Sequence, residues 1–351
     1  MAMDRTDLIA RRDLALNYIL RSIDPAGRFA YCVDSRNGQP LAGYNLLRPC
    51  GTIWAALNTP GVGRHARLDA AIGYLLGYVQ PYRDGGAVID RQGFAKLGAA
   101  GLALLALTDY RRGEIPRAVD EKCALAVSQM IKFVVAMHRA RGDFAHKINV
   151  RTGEVSDFHS DYYTGEALFG VIHALQLTPA LDQEPAGDHA SRRDFVKSVI
   201  ARLNAQDYGV RAQSHWMLYA LEALDRTDRT VAYLDYAGRI VQNMLDRPGY
   251  RARRRNTPIA CRTEGFLAYL RMVHARPPGA AGLWHDARAA RTRQATEENL
   301  REQIGFQIAD RAHELAGGFI CGDDDPTIRI DFVQHNLSAI NGYLELADAS
   351  P

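Results

Sequence analysis

Two kinds of apolar segment alternate along the chain. In the first kind, almost every position is apolar and small residues are frequent, as in residues 97–107, LGAAGLALLAL. A helix with this composition is typically buried on every side. Six such segments occur, at residues 48–57, 97–107, 164–175, 215–224, 262–272 and 334–346. They predict six helices in the interior of the protein.

The segments between these six have apolar residues at helical spacing on one face and charged residues on the other. They cover residues 7–21, 66–79, 118–139, 192–203, 230–245 and 284–315. This pattern is typical of helices at the surface. We therefore predict that residues 1–351 form one all-α domain, an (α/α)6 toroid of twelve alternating outer and inner helices. An open solenoid of helix pairs is the alternative, but it needs polar end caps, which the first and last helices lack.

The links that lead from an outer to an inner helix differ from the links in the opposite direction. Several of them begin with glycine and contain short runs typical of β-strands, at residues 27–33, 85–94, 142–158 and 317–332. These runs predict short β-hairpins at the face where the inner helices begin. Long loops on one face of a rigid scaffold are where functional residues usually lie.

Charge and cysteine content exclude several classes of protein. The 351 residues include 43 Lys and Arg and 40 Asp and Glu, a formal net charge of +3, which argues against nucleic acid as the main partner. No apolar run approaches the ~20 residues that cross a bilayer, and the N-terminus lacks the features of a secretory signal, so no membrane partner is expected. The 5 cysteines contain no Cys-x-x-Cys pair, which favours reduced thiols in the cytoplasm.

Twelve alternating helices with glycine-rich entry loops resemble the α/α-toroid enzymes. These include glycoside hydrolases, unsaturated-uronyl hydrolases and sugar 2-epimerases, and also terpenoid cyclases, protein prenyltransferases and lanthionine cyclases. The resemblance covers nearly the whole chain, but it concerns architecture and no motif of a single family. It implies only that a site lies where the inner helices begin.

Polar residues are concentrated at the expected inner-helix starts, near Arg48, Lys96, Asp161, His215, Arg262 and Gln334. A charge on a buried helix is costly unless it is paired, so these residues are candidates for function. The candidate catalytic residues are Asp161, Glu166, Glu264, Asp331 and His335. The candidate substrate-binding residues are Tyr44, Arg48, Lys96, His159, Tyr163, His215, Trp216, Arg262 and Gln334.

Each candidate also has a structural interpretation. Residues 159–166, HSDYYTGE, could cap a helix, and Asp331 is a good N-cap residue. Arg262 and Glu264 could neutralise each other, and His335 could be a hydrogen-bonded core residue. Six positive helix ends at one face favour an anionic group, and the basic run of Arg251, Arg253, Arg254 and Arg255 could recruit it.

The residue types permit two kinds of acid–base chemistry. Cleavage of a glycosidic bond needs two carboxyl groups, and proton abstraction next to a carbonyl needs bases such as a pair of histidines. The expected function is therefore a cytoplasmic enzyme that acts on a carbohydrate-like small molecule or oligosaccharide as hydrolase, lyase or epimerase, with an anionic group on the substrate as a further expectation. A non-catalytic helical scaffold that binds peptides is an alternative.

A zinc-dependent toroid enzyme, of the prenyltransferase, terpenoid-cyclase or lanthionine-cyclase type, is the other alternative. Cys261, Cys321 and His335 would lie close together if the fifth and sixth inner helices were neighbours, and thiolate plus imidazole is a zinc-binding set. No fourth ligand is evident, so we expect no metal and no cofactor. The acidic run of Asp323, Asp324 and Asp325 could hold a divalent ion, but acidic turns before proline are common without one.

Overall fold

Twelve α-helices form two concentric rings in the computed structural model, which describes residues 3–177, 186–277 and 279–348. The inner helices are α2 (Leu47–Leu57), α4 (Leu97–Tyr110), α6 (Tyr163–Leu177), α8 (His215–Thr227), α10 (Asn256–His274) and α12 (Ile330–Asp348). The outer helices are α1 (Arg5–Arg21), α3 (Ala66–Leu76), α5 (Arg117–Ala136), α7 (Ala186–Ala205), α9 (Val231–Asp246) and α11 (Leu283–Ile304). A short 3-10 helix, Pro248–Arg253, precedes α10.

The inner ring is closed. Each inner helix packs against the next one along the chain, and α12 packs against α2. The predicted (α/α)6 toroid is therefore confirmed, and the open solenoid is wrong. Every residue of α4 is buried, as its apolar composition predicts. Among the described residues, no helix combines the length and the apolar character that a membrane span requires.

Small residues allow neighbouring inner helices to approach closely. A Cβ atom added at Gly170 of α6 would overlap the backbone of Gly101 in α4. The glycine- and alanine-rich composition that distinguishes the inner helices in the sequence is thus a requirement of packing.

All seven strands of the described residues lie in links that lead into inner helices. They are β1 (Cys32–Asp34), β2 (Val79–Tyr82), β3 (Gly85–Val88), β4 (Phe94–Lys96), β5 (Lys147–Asn149), β6 (Ile320–Gly322) and β7 (Asp325–Arg329). The pairs are antiparallel, and β1 lies beside β7, with Cys32 opposite Arg329. This pairing joins the link that leads into α2 to the link that leads into α12. The expected short strands at this face are confirmed, but only β2–β3 and β6–β7 are hairpins, whereas β1–β7 and β4–β5 connect different links.

Two inner helices begin earlier than predicted. Helix α10 begins at Asn256 rather than near Arg262, and α12 begins at Ile330 rather than near Gln334. Pro258 lies in the first turn of α10, where its missing N–H group costs no helical hydrogen bond. As a result, Glu264 and His335 lie deeper in the barrel than the first turn in which the sequence placed them.

Four aromatic side chains fill the axis of the barrel. The Trp54 ring lies 5.9 Å from the Trp216 ring and 5.7 Å from the Tyr219 ring, and Phe169 stacks on Tyr219 at 5.2 Å. This aromatic plug separates a cavity at the inner-helix starts from a second cavity of about 500 Å³ at the opposite end.

Candidate active site

A cavity of about 850 Å³ opens at the end of the barrel where the inner helices begin. We call it the central cavity. Nine of the residues selected from the sequence line it, namely Arg48, Tyr163, Glu166, His215, Trp216, Arg262, Asp331, Gln334 and His335. A tenth, Glu264, is fully buried against His335. The inner-helix starts therefore converge as the toroid requires.

Four of the selected residues do not line the central cavity. Asp161 and His159 lie in the loop before α6 with 64% of each side chain exposed, and 3.7 Å separates their nearest side-chain atoms. They point outward because α6 begins only at Tyr163. Tyr44 and Lys96 line a smaller cavity next to the central one.

Glu166 is a buried carboxyl group in the first turn of α6. Its Oε2 atom has no hydrogen-bond partner in the described structure, and the side chain lies against Gly98, where a Cβ atom would overlap it. Burial raises the pKa of Glu166 to about 8, and the charges of His335 and Arg48 offset this only in part. At pH 7 the group is therefore mainly neutral, as a proton donor must be.

His335, which lines the central cavity, forms a buried pair with Glu264, which lies behind it. The Nδ1 atom of His335 lies 2.7 Å from Oε2 of Glu264, and the Tyr219 hydroxyl donates to Oε1 of Glu264 at 3.2 Å. Burial alone would lower the pKa of His335, but Cys261 and Glu264 outweigh it and raise this pKa well above its usual value. His335 is therefore protonated at neutral pH.

His215 has the opposite character. Its ring centre lies 5.3 Å from that of His335, and neither of its buried ring nitrogens has a hydrogen-bond partner among the described residues. Burial, and then the charges of His335 and Arg262, lower its pKa well below the usual value. Two neighbouring imidazoles are thus held in opposite protonation states, which is the arrangement of an acid and a base.

Asp331 is an ion-pair partner and does not cap α12. Its carboxylate oxygens lie 2.6 Å from Nε of Arg329 and 2.9 Å from Nε of Arg48. Burial would raise the pKa of Asp331, but the two guanidinium groups outweigh burial and lower it. Arg48 also donates to the Tyr31 hydroxyl. Asp331 is therefore an ionised carboxylate at the wall of the central cavity.

Four arginines at the central cavity have no carboxylate within 4.0 Å among the described residues. This arginine wall consists of Arg211, Arg247, Arg253 and Arg262. Arg262 is held in place because its Nε donates to Gln213 at 2.7 Å and its guanidinium lies 4.4 Å from the centre of the Tyr250 ring. With Glu166 neutral and Asp331 paired, the cavity has an excess of positive charge.

The basic run before α10 contributes only Arg253 to this wall. Arg251 pairs with Glu298, Arg254 pairs with Glu302 and Asp323, and Arg255 pairs with Asp324 and Asp325. These pairs also account for the acidic run at residues 323–325. Arg211 and Arg247, together with Gln213 and Tyr250, were missed in the sequence, although all of them lie on or next to links into inner helices.

Four potential metal ligands meet beside the central cavity. One donor atom from each of His215, Cys261, Glu264 and His335 lies within 4.8 Å of the other three. Cys321 is not part of this group, since its Sγ contacts Nη1 of Arg255 at 3.5 Å. The expected set of Cys261, Cys321 and His335 is therefore wrong, and so is the premise that no fourth donor exists.

The donor set is chemically suitable for zinc, but its geometry is that of a hydrogen-bonded cluster. Two nitrogen or oxygen ligands on tetrahedral zinc are roughly 3.3 Å apart, given bonds of about 2.0 Å. The 2.7 Å between His335 and Glu264 is a hydrogen-bond distance instead. The absence of zinc stays a prediction.

No protein-family model and no curated protein sequence matches the chain. Solved structures do match over nearly their whole length. A sugar epimerase from a ruminal bacterium has a TM-score of 0.64, with 12% identity over 98% of this chain and 99% of the other. A D-mannose isomerase has a TM-score of 0.63, with 13% identity over 98% of both chains. A GH76 α-mannanase from Bacteroides thetaiotaomicron has a TM-score of 0.59, with 9% identity over 97% of both. These similarities establish a shared fold.

Proposed function

We propose that the chain is an enzyme that isomerises or epimerises a sugar bearing an anionic group, by proton transfer next to a carbonyl. The observation that carries this proposal is the pair of histidines at the central cavity, whose ring centres lie 5.3 Å apart, with burial lowering the pKa of His215 and with Cys261 and Glu264 raising the pKa of His335. The fold shared with a D-mannose isomerase and a sugar epimerase supports the same class of substrate.

In this reaction the neutral imidazole of His215 removes a proton from the carbon next to the substrate carbonyl. The electron pair of the broken C–H bond forms the double bond of an enediol, and the carbonyl oxygen becomes negatively charged. Glu166, a neutral acid at pH 7, donates a hydrogen bond or its proton to that oxygen. In isomerisation, His215 gives its proton to the neighbouring carbon, and the hydroxyl group on the first carbon loses its proton to the Glu166 carboxylate as the new carbonyl forms. In epimerisation, His335 protonates the opposite face of the same carbon and the original oxygen returns its proton to Glu166, after which His215 and His335 regain their starting protonation by exchange with solvent.

The arginine wall supports an anionic substrate. Guanidinium groups bind carboxylates and phosphates through paired hydrogen bonds, and these four have no protein carboxylate within 4.0 Å in the described residues. Arg262 is preorganised by Gln213 and Tyr250, so little ordering is needed when an anion binds. The free state of all 5 cysteines supports a reducing, cytoplasmic location.

Glycoside hydrolysis is the second candidate. The central cavity contains a neutral carboxyl group, Glu166, and an ionised one, Asp331, which is the pair that this reaction needs. However, Asp331 is held by two arginines, which makes it a weaker base. The histidine pair therefore favours proton transfer at carbon.

The test is to incubate the protein with aldoses, ketoses, uronic acids and sugar phosphates in D2O and to follow deuterium incorporation next to the carbonyl by NMR. We expect incorporation with the wild type and its loss in His215→Asn. The control is His173→Asn, which lies at the opposite end of the barrel beside Asp109 and should retain exchange. Release of reducing ends from glycosides without exchange would support hydrolysis, and activity toward no sugar would overturn the proposal.

A further inference from the structure

The smaller cavity next to the central cavity has a volume of about 260 Å³, and Asn45 and Leu47 line both. It contains Tyr44 and Lys96, which the sequence selects for substrate binding but which lie outside the central cavity. Its other characteristic side chains are two tyrosines and two arginines. We call this group the tyrosine pocket, comprising Arg28, Tyr44, Tyr74, Tyr78, Arg91 and Lys96.

Three aromatic rings form one side of the tyrosine pocket. The ring centres of Tyr44 and Tyr74 are 6.4 Å apart, and those of Tyr74 and Tyr78 are 5.2 Å apart. All three side chains are only partly buried. Tyrosine offers an apolar face together with a hydroxyl group. A row of such rings suits the apolar C–H face of a sugar and the hydroxyl groups at its edge.

The other side of the pocket is cationic. Arg28, Arg91 and Lys96 have no carboxylate within 4.0 Å in the part of the chain that the structure describes. Asp90 is the one carboxylate among the lining residues, and its Oδ1 accepts from the N–H groups of Gln92 and Phe94 at 3.0 and 2.9 Å. The Asp90 carboxylate is thus hydrogen-bonded to the backbone of its own turn. Three cationic side chains against one carboxylate give the pocket an excess of positive charge.

The size of the pocket limits what it can hold. Complete small-molecule sites usually have volumes of about 300–1,000 Å³. The tyrosine pocket, at about 260 Å³, is smaller than this range, whereas the central cavity, at about 850 Å³, lies within it. Because the two adjoin at Asn45 and Leu47, one ligand can occupy both.

We propose that the tyrosine pocket is a second subsite, which binds an additional acidic sugar unit of an oligosaccharide whose reacting unit lies in the central cavity. This inference rests on the proposed function and specifies its substrate as an acidic oligosaccharide rather than a single sugar. The tyrosine rings contact the sugar face, and Arg28, Arg91 and Lys96 bind its carboxylate. Asn45 and Leu47 line the passage between the two units.

The test compares the calorimetric binding of galacturonate with that of its α-1,4-linked dimer, and of glucuronate with a β-1,4-linked glucuronate dimer. We expect at least one dimer to bind the wild type tenfold or more tightly than its monomer. Tyr74→Ala and Arg91→Ala should remove most of this advantage and leave monomer binding unchanged. Arg117→Ala, an exposed arginine on outer helix α5, is the matched control and should change neither affinity.

Arg253→Ala separates this inference from the proposed function. It lies in the arginine wall of the central cavity and should weaken monomer and dimer equally. If monomers and dimers bind the wild type equally, or if the dimer advantage survives both pocket substitutions, the second subsite is wrong and the proposed function remains. If no uronate monomer or dimer binds, the second subsite is wrong, and the deuterium exchange with sugar phosphates decides the proposed function separately.

Discussion

His335 of α12 and Glu264 of α10 are joined by a buried hydrogen bond of 2.7 Å between residues 71 positions apart in the chain. Neither residue is in the first turn of its helix, so the bond lies inside the barrel. Cys261 and this contact with Glu264 together raise the pKa of an imidazole that burial alone would lower. The protonation of one catalytic candidate therefore depends in part on the other.

Glu264→Gln should shift the activity profile toward acid. Without the carboxylate, burial has more influence on the pKa of His335 and lowers it, so the imidazolium loses its proton at a lower pH. The decline of kcat/KM on the basic side of the pH profile should therefore occur at a lower pH. The melting temperature should also fall, since His335 loses its buried partner. The measurements are a pH–rate profile and a thermal melt. An unchanged basic limb would show that Glu264 does not control His335.

Glu166→Gln should lower activity by ~10²–10⁴-fold and leave the melting temperature at pH 7 nearly unchanged, because glutamine replaces a carboxyl group that is already mainly neutral. The matched control is Glu222→Gln, a buried glutamate of inner helix α8 that pairs with Arg226 and Arg271 at the opposite end. This control should lower the melting temperature and retain activity. The reverse result for the two variants would mean that Glu166 is structural.

Glu166 should also make stability depend on pH. Its pKa rises from 4.5 in the unfolded chain to about 8 in the folded protein, so the folded state binds this proton more tightly. The resulting stabilising contribution to the free energy of unfolding is complete below pH 4.5 and is lost as the pH rises toward 8. Between pH 5 and pH 8, the free energy of unfolding of the wild type should fall relative to Glu166→Gln by about 3–4 kcal/mol. Urea unfolding at both pH values measures this difference. Parallel behaviour of the two proteins would contradict the raised pKa.

Purified protein should contain no stoichiometric zinc. The 2.7 Å between His335 and Glu264 is a hydrogen-bond distance, shorter than the spacing of two ligands on one tetrahedral ion, so these two groups already partner each other. Elemental analysis after expression in zinc-supplemented medium checks this. About one zinc per chain, lost in Cys261→Ser but retained in Cys321→Ser, would favour the zinc-dependent class instead.

Arg253→Ala should weaken binding of an anionic sugar roughly tenfold or more, because a hydrogen bond to a charged group contributes about 1.5–3 kcal/mol. Arg254→Ala is the neighbouring control, since Arg254 pairs with Glu302 and Asp323 instead of facing the cavity. Calorimetry with glucuronate and with the uncharged glucose distinguishes charge from shape. Equal effects of the two substitutions would contradict an arginine wall.

Much of the fold could be predicted because burial leaves a direct record in the sequence. Outer helices show one apolar face, and inner helices are apolar on all sides, so the ring to which each helix belongs was evident. The starts of α10 and α12 were not, because Asn256 and Pro258 are typical of loops and β7 continues directly into α12. Helix boundaries depend on such local exceptions more than on periodicity.

The candidate site could be predicted in outline only. The rule that inner helices begin at one face selected Glu166, His215 and His335 correctly as neighbours of the central cavity. It could not separate Arg253 from Arg254, since that difference depends on counter-charges supplied by α11 and the turn before β7. It also could not reveal that His215 approaches Cys261, because the sequence does not give the depth of each residue along the barrel.

The aromatic plug of Trp54, Phe169, Trp216 and Tyr219 closes the axis of the barrel, so in the described residues no passage runs along this axis from the central cavity to the cavity at the opposite end. A polymer cannot pass along the barrel axis, and a product cannot leave the central cavity through the opposite end of the barrel. Turnover must therefore alternate between entry and exit at the same mouth. An oligosaccharide longer than the central cavity would therefore enter it with one end, and its remaining units would lie across the rim.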